Sequence, residues 1–288
     1  MLMLSCDLVV NCPLRAFRSG VIALSQSLTG LPLRTLQQSG DLIAPHAAAW
    51  AREGDPGNPV VLQALFAKDG SDQSGAPTLW FGIPADGSVS SLLALLPEAE
   101  RLEIGRLRSD QDRWSVAAAR AAARILLSQL LDCPARDISL IRSDRGKPRL
   151  DPRYHGAKAK HLHFSISHTK ELVAVAIGRS PIGIDVEAVR EFPDMMQVAR
   201  MQFAREMLHD LLAVEADTER AALFFRFWTL GEAFIKATGE GIAQGLQSFS
   251  FPAHGRPALT RVSELWGPPG RWCFGTLGWG MLPLNGYP

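Results

Sequence analysis

The order of strand-like and helix-like segments constrains the fold most strongly, because the chain runs twice through the same kinds of element. The first series has an apolar segment at 78–83, an Ala- and Leu-rich segment at 110–131 with near-helical spacing, and the strand-like segments HLHFSISH and LVAVAIG. After residues 179–181 the pattern restarts with IGIDVE, helical segments from 194 to 240 and the apolar segment RWCFGTL. This order predicts an α+β chain in which two α+β halves follow one another.

The length of the chain agrees with two halves of ordinary size. A chain of 288 residues can hold two domains of about 100 to 150 residues each. We place the N-terminal half at 77–180 and the C-terminal half at 181–288. Residues 1–76 hold only 11 of the 59 charged residues and end in the turn-rich stretch KDGSDQSGAPT. We therefore predict that residues 1–76 are an N-terminal extension, and the sequence assigns them no role.

Charge and composition exclude several classes of partner. The formal net charge of +1 gives no overall attraction to nucleic acid or to a membrane surface. No run of 18 apolar residues is present, and the apolar start lacks the basic residues of a signal peptide. The four cysteines are widely spaced and form no CxxC pair. We expect a cytoplasmic protein that binds neither nucleic acid nor membrane.

The segment IGIDVE places two acids in a β-branched strand. Side chains alternate across a strand, so Asp185 and Glu187 point to the same face. Each carboxylate raises the cost of ionising the other. Water would relieve this repulsion on an exposed face, whereas a cation would have to relieve it in a cleft. The segment alone is compatible with both.

The segment FWTLGEAFIKATGEG carries a second candidate group on a helix. Trp228, Glu232 and Lys236 are each four residues apart and therefore lie along one face. A Glu and a Lys at this spacing can also be a solvated surface pair, which stabilises a helix by a few tenths of a kcal/mol. The spacing alone does not distinguish the two.

Two shorter segments contain further polar residues. In FSISHT, Ser165 and Ser167 share a strand face, and His168 lies at the end of the strand. A polar strand end before a turn, with no functional role, would have the same sequence pattern. In RGKP, Gly146 permits a tight turn from which Lys147 projects, although a surface turn would read in the same way.

Taken together and in order, these segments carry more information than each does alone. R-G-K-P, F-S-I-S-H, I-G-I-D-V-E and F-W-T-x-x-E-A-x-x-K-x-x-G-x-G resemble the 4'-phosphopantetheinyl transferase family, in the broad-range type that serves peptide and polyketide synthetases. The resemblance extends from about Leu79 to about Phe251. It implies a pseudo-dimer of two similar α+β halves, which is monomeric with pseudo-twofold symmetry and holds coenzyme A between the halves.

The resemblance also implies the roles of individual residues. Asp185, Glu187 and Glu232 correspond to magnesium-binding acids, with Asp185, Glu232 and Lys236 as the catalytic residues and Glu232 as the candidate base. The implied contacts to the phosphates of coenzyme A are Lys147, Ser167, His168 and Lys236.

The implied reaction is the transfer of the 4'-phosphopantetheine arm of coenzyme A to a serine of an apo acyl or peptidyl carrier protein. The second product is 3',5'-ADP, and the reaction depends on Mg²⁺. Two other functions remain open from the residues: a non-catalytic homologue that binds coenzyme A or a carrier protein, and a metal-dependent phosphatase that uses Asp185 and Glu187.

Two features depart from the family's pattern. Where the family has a lysine before Glu-Ala, this chain has Gly231, so we expect a lysine introduced there to reach the phosphates and to raise both helix stability and catalytic efficiency. The family also continues with an apolar strand after a Gly-Tyr pair, and this chain ends in LNGYP. We expect that last strand to be missing.

Overall fold

The computed structural model of the chain describes residues 2–11, 62–68, 78–84, 89–170 and 172–282. These residues form a mixed helix and sheet structure. The strands are β1 (Leu2–Asn11), β2 (Leu62–Lys68), β3 (Thr78–Pro84), β4 (Leu140–Arg142), β5 (Pro148–Leu150), β6 (His163–His168), β7 (Val173–Gly178), β8 (Ile182–Val189) and β9 (Trp272–Leu282). The α-helices are α1 (Val89–Ala94), α2 (Glu98–Gly105), α3 (Asp110–Leu131), α4 (Pro152–His161), α5 (Met195–Gln202), α6 (Arg205–Ala213) and α7 (Asp217–Thr238). No helix of the described ranges is long and apolar enough to cross a membrane.

Among the described residues, one compact unit comprises 62–68, 78–84, 89–141, 148–170 and 172–179. Its antiparallel sheet has the strand order β2-β3-β7-β6, and α3 packs against β6 and β7. Helix α3 begins after Ser109, whose side chain accepts a hydrogen bond from the Asp112 amide at 3.3 Å. It ends at Leu131, and the next residue, Asp132, has the left-handed conformation. Its bounds match the segment predicted from the sequence. Alanines on the buried face of α3 allow a close contact with the apolar strand β7.

The other unit comprises the described residues 2–11, 142–147 and 180–282. Its antiparallel sheet has the strand order β8-β1-β9, and α7 packs across β8 and β1. Aromatic side chains of α7 supply much of the core, where Phe234 makes edge contacts with Phe249 and Trp272. The strand and helix predicted to carry the acids are therefore adjacent.

Strand β1 lies at the centre of this second sheet, although it belongs to the segment that we predicted to be an extension. It pairs with β8 along eight residues and with β9 on its other side. Residues 12–61 and 283–288 lie outside the described residues, so the expected absence of a last strand falls there. Strand β1 therefore belongs to the same sheet as the segment IGIDVE.

Gly183 explains the close packing of α7 on β8. A Cβ at this position would lie 1.9 Å from the carbonyl oxygen of Ala233 and 2.6 Å from the amide nitrogen of Ala237. Both atoms belong to the backbone of α7 and cannot move aside without moving the helix. The glycine of IGIDVE therefore sets how near the helix lies to the acidic strand.

Gly231 lies in the core, which changes our expectation for this position. It is buried, and a Cβ there would lie 2.3 Å from Cδ2 of Leu246 and 3.3 Å from Cε2 of Phe249. A lysine side chain would begin in apolar surroundings, so we now expect Gly231→Lys to lower stability, and the gain expected from the sequence remains a prediction to be tested. The close contacts of Gly231 with Leu246 and Phe249 give a packing reason for a glycine here.

Candidate functional site

An ion pair joins strand β8 to helix α7 at the predicted site. The ammonium Nζ of Lys236 lies 2.6 Å from Oδ1 of Asp185 and also donates to the carbonyl oxygen of Ile184 at 3.2 Å. The side chain of Asp185 is 7% exposed and that of Lys236 is 28% exposed. Lys236 therefore forms an ion pair with Asp185 of the strand. The pattern E-x-x-x-K does not describe a solvated surface pair here.

The two glutamates of the site are electrostatically coupled to Asp185. Burial raises the pKa of Glu187 to about 7, and the neighbouring charge of Asp185 adds to the effect. Burial, followed by the charge of Asp185, also raises the pKa of Glu232. Lys236 opposes both shifts. Three acids from two elements thus share a partly buried region that contains one lysine ammonium.

A fourth acid, Asp7, belongs to the same region and was missed in the sequence. Asp7 lies opposite Asp185 in the β1–β8 register, and cross-strand partners project on the same face of a sheet. It is fully buried and accepts hydrogen bonds from Thr276 Oγ1 at 2.6 Å and from Thr229 Oγ1. Burial raises its pKa to about 6. The available signal was an acid among the apolar residues of LMLSCDLVV.

Lys147 lies in the same unit, with its ammonium against backbone carbonyls. Its Nζ donates to the carbonyl oxygen of Ile182 at 3.0 Å and to that of Lys236. Burial, together with the charge of Lys236, lowers the pKa of Lys147 to about 8. The side chain therefore enters the region where β8 and the end of α7 meet.

Ser167 and His168 lie in the other unit, at the end of β6. Ser167 is buried opposite Ala174 of β7, and His168 is exposed opposite Val173. The second unit thus brings together Lys147, Asp185, Glu187, Glu232 and Lys236, whereas Ser167 and His168 are positioned by the sheet of the first.

The donor set suits magnesium in its chemistry. Carboxylate oxygens are the ligands that Mg²⁺ prefers in proteins, and the crowding of acids on β8 and α7 gives a cation a favourable environment. As the side chains stand, no group of three or more His, Cys, Asp and Glu within the described ranges is arranged to hold a metal ion. The Oδ1 atom of Asp185 is bonded to Lys236, so a cation at these acids would compete with the ammonium.

Comparisons with known proteins cover both units. A family model described as the 4'-phosphopantetheinyl transferase superfamily matches residues 181–282, and one described as the N-terminal part of 4'-phosphopantetheinyl transferase matches residues 80–179. The 4'-phosphopantetheinyl transferase HetI of Nostoc is 33% identical over 171 residues, which are 58% of this chain and 70% of HetI. The chain belongs to the 4'-phosphopantetheinyl transferase family.

Other members of this family show similar coverage. The 4'-phosphopantetheinyl transferase Sfp of Bacillus subtilis is 28% identical over 179 residues, covering 60% of this chain and 76% of Sfp. The L-aminoadipate-semialdehyde dehydrogenase-phosphopantetheinyl transferase of Xenopus laevis is 26% identical over 160 residues, covering 53% of this chain and 52% of that protein. The resemblance seen in the sequence is confirmed at the level of the family.

Proposed function

We propose that this protein is an enzyme that transfers the 4'-phosphopantetheine arm of coenzyme A to a serine of an apo acyl or peptidyl carrier protein. The observation that carries the proposal is the group formed by Asp185, Glu187, Glu232 and Lys236. It lies on β8 and α7, inside the region matched by the superfamily model. Transfer from a pyrophosphate requires carboxylates that can bind a metal cation. It also requires a nearby positive side chain that can bind the phosphates.

The reaction breaks one phosphorus–oxygen bond and forms another. The carrier serine Oγ attacks the β-phosphorus of coenzyme A, and the bond from that phosphorus to the bridging oxygen breaks. The bridging oxygen leaves as part of 3',5'-ADP, and the serine proton passes to a base. No oxidant or reductant is needed.

Three acids have the role of magnesium ligands in this proposal: Asp185, Glu187 and Glu232. When bound, Mg²⁺ neutralises the negative charge that develops on the pyrophosphate oxygens. Support comes from the raised pKa values of Glu187 and Glu232, because these carboxylates carry a cost of ionisation that a cation relieves.

Glu232 is also the proposed base for the serine proton. A carboxylate has two oxygens, so one oxygen can accept the proton while the other binds the magnesium ion. Burial and Asp185 raise the pKa of Glu232, which brings the carboxyl nearer to the neutral pH at which it would accept a proton.

Lys236 is the proposed donor to the phosphates of coenzyme A. Its ammonium lies beside the acids, and its side chain is more than a quarter exposed, so it can turn from Asp185 toward a phosphate. Ser167 and His168 have the same proposed role, and Lys147 retains it in part. These assignments follow the family pattern that the segments FSISHT and RGKP match.

The two units also support the proposal of two similar halves in a monomer. Each unit contains a 22-residue helix packed on an antiparallel sheet: α3 on the sheet of β2, β3, β7 and β6, and α7 on the sheet of β8, β1 and β9.

We place the protein in the cytoplasm, where coenzyme A and carrier proteins meet.

Intact-mass measurement of an apo carrier protein tests the proposal. After incubation with coenzyme A, Mg²⁺ and the enzyme, the carrier should gain the mass of one phosphopantetheine arm, with 3',5'-ADP as the second product. Binding of coenzyme A or carrier without this gain would instead support a non-catalytic homologue. Release of inorganic phosphate without any carrier would support a phosphatase.

A further inference from the structure

The side chain of Lys147 connects the two elements that carry the acids. Its Nζ donates to the carbonyl oxygen of Ile182, the first residue of β8, and to that of Lys236 in the last turn of α7. Lys147 itself belongs to neither element and follows the turn between β4 and β5. One ammonium is thus bonded to the strand of Asp185 and to the helix of Glu232.

The turn fixes the backbone from which Lys147 projects. The Ser143 amide donates to the Lys147 carbonyl oxygen at 2.8 Å, and the Lys147 amide donates to Ser143 Oγ at 3.1 Å. Gly146 closes the turn with φ of 88°, a conformation that favours glycine, and its amide donates to the Ser143 carbonyl oxygen at 2.8 Å. The residue order Gly-Lys therefore supplies a rigid base for one long side chain.

The carbonyl of Lys236 is one that a helix leaves unsatisfied. Helix α7 ends at Thr238, and the last four carbonyls of a helix lack partners within the helix. The negative end of the helix dipole also favours a cation at this place. Lys147 meets both requirements, and its Cδ lies 3.5 Å from the position that a Cβ on Gly239 would take. A larger residue at position 239 would therefore contact the aliphatic part of the Lys147 side chain.

We propose that Lys147 is a positioning residue, which holds the last turn of α7 against the start of β8 and so sets the placement of Glu232 and Lys236 relative to Asp185 and Glu187. Its catalytic consequence rests on the proposed transferase function, whereas the bonding itself does not. An ammonium has three N–H donors, so two carbonyl bonds leave one for a phosphate. The positioning role therefore adds to the predicted phosphate contact and does not require it.

Hydrogen–deuterium exchange of the full-length protein alone tests the positioning role. In Lys147→Met, amides of residues 233–238 and 182–185 should exchange about tenfold faster or more, because two hydrogen bonds from a charged donor are lost. Arg145→Met is the matched control. It removes a cation from the same turn, but the side chain of Arg145 is exposed, and its Nε lies 3.7 Å from the carboxylate of Glu240. The control should leave exchange at those amides unchanged.

Kinetics with coenzyme A separate positioning from a simple phosphate contact. Misplaced catalytic groups should lower kcat of folded Lys147→Met by about tenfold to a hundredfold, with a smaller change in KM for coenzyme A. If Lys147→Met cannot be isolated folded, Lys147→Gln, whose amide nitrogen falls about one bond short, provides the same exchange measurement. Wild-type exchange at those amides in the folded variant, or a rise in KM alone, would overturn the proposal. Because the exchange measurement uses no substrate, it stands even if the transferase function fails.

Discussion

Lys236 and Asp185 form a mostly buried ion pair between helix α7 and strand β8, with 2.6 Å between Nζ and Oδ1. The ammonium of Lys236 also acts on Glu187 and Glu232, whose pKa values it lowers. A magnesium ion that binds these acids therefore meets an internal cation that competes for Asp185. The same lysine, once released from Asp185, would be available to a phosphate of coenzyme A.

Replacing Lys236 should separate its two proposed roles. In Lys236→Met, Mg²⁺ alone should bind more tightly than to wild type, because the ammonium no longer competes for Asp185. Turnover with coenzyme A should fall, because a phosphate donor is lost. Calorimetric titration with Mg²⁺ in the absence of coenzyme A measures the first effect. Lys158→Met, at an exposed position of α4, is the control. Equal or weaker Mg²⁺ binding by Lys236→Met would argue against the competition.

Binding of Mg²⁺ should release protons near neutral pH. Glu187 has a pKa of about 7, so near this pH a substantial fraction of its carboxyl groups must lose a proton before they can bind the ion. The affinity for Mg²⁺ should therefore rise between pH 6 and pH 8. Calorimetry at pH 7 in buffers of different ionisation enthalpy detects the proton, and Glu187→Gln should reduce the release. Identical heats in all buffers would contradict this role of Glu187.

Asp7 should destabilise the folded protein at neutral and alkaline pH. Its pKa is about 6 in the folded state and about 3.8 for the free side chain, so the folded state binds more protons between these values. The cost is fully present above pH 6 and disappears as pH falls toward 3.8. Asp7→Asn should therefore raise the free energy of unfolding by up to about 3 kcal/mol at pH 8 and by much less near pH 4. Denaturant unfolding at both pH values measures the difference.

The control for this experiment is Asp144→Asn, which removes an exposed carboxylate and should change stability little at either pH. A loss of stability in Asp7→Asn at pH 8 would mean that the hydrogen bonds from Thr229 and Thr276 outweigh the cost of the buried charge.

Substitutions of Gly231 should lower stability. Gly231→Ala gains helix propensity of up to about 1 kcal/mol, but overpacking against Leu246 costs about 1–3 kcal/mol. Gly231→Lys should be worse, because its ammonium starts from a buried position. Thermal unfolding measures both. Gly105→Ala, where a Cβ would meet nothing within 4 Å, is the control and should lose little. Wild-type stability of Gly231→Lys would show that Leu246 moves aside at little cost.

The parts of the fold that the sequence predicted rest on local signals. Helix α3 was predicted with its observed bounds, because the segment 110–131 is rich in Ala and Leu and its apolar residues have near-helical spacing. Strand β8 was equally clear from its β-branched residues. Asp185 and Glu187 of β8 and Glu232 and Lys236 of α7 could therefore be proposed before their contacts were known.

The parts that escaped prediction depend on contacts between distant residues. Asp7 and Asp185 become neighbours only through strand pairing, which a pattern within a few residues cannot reveal. Lys147 finds carbonyl partners 35 and 89 residues away along the chain. From the sequence, Gly231 was interpreted as the loss of a lysine that the family has at this position. The local pattern cannot show that Leu246 packs against this position of the helix.

We propose that the acids of β8 and α7 direct phosphopantetheine transfer. The most direct test is the intact mass of an apo carrier protein incubated with coenzyme A and Mg²⁺, in parallel with wild-type enzyme and with the Asp185→Ala variant shown to be folded. We expect a gain of one phosphopantetheine arm with wild type and almost none with Asp185→Ala over the same time. Equal gains with both proteins, or no gain with wild type on carriers that another transferase modifies, would contradict the claim.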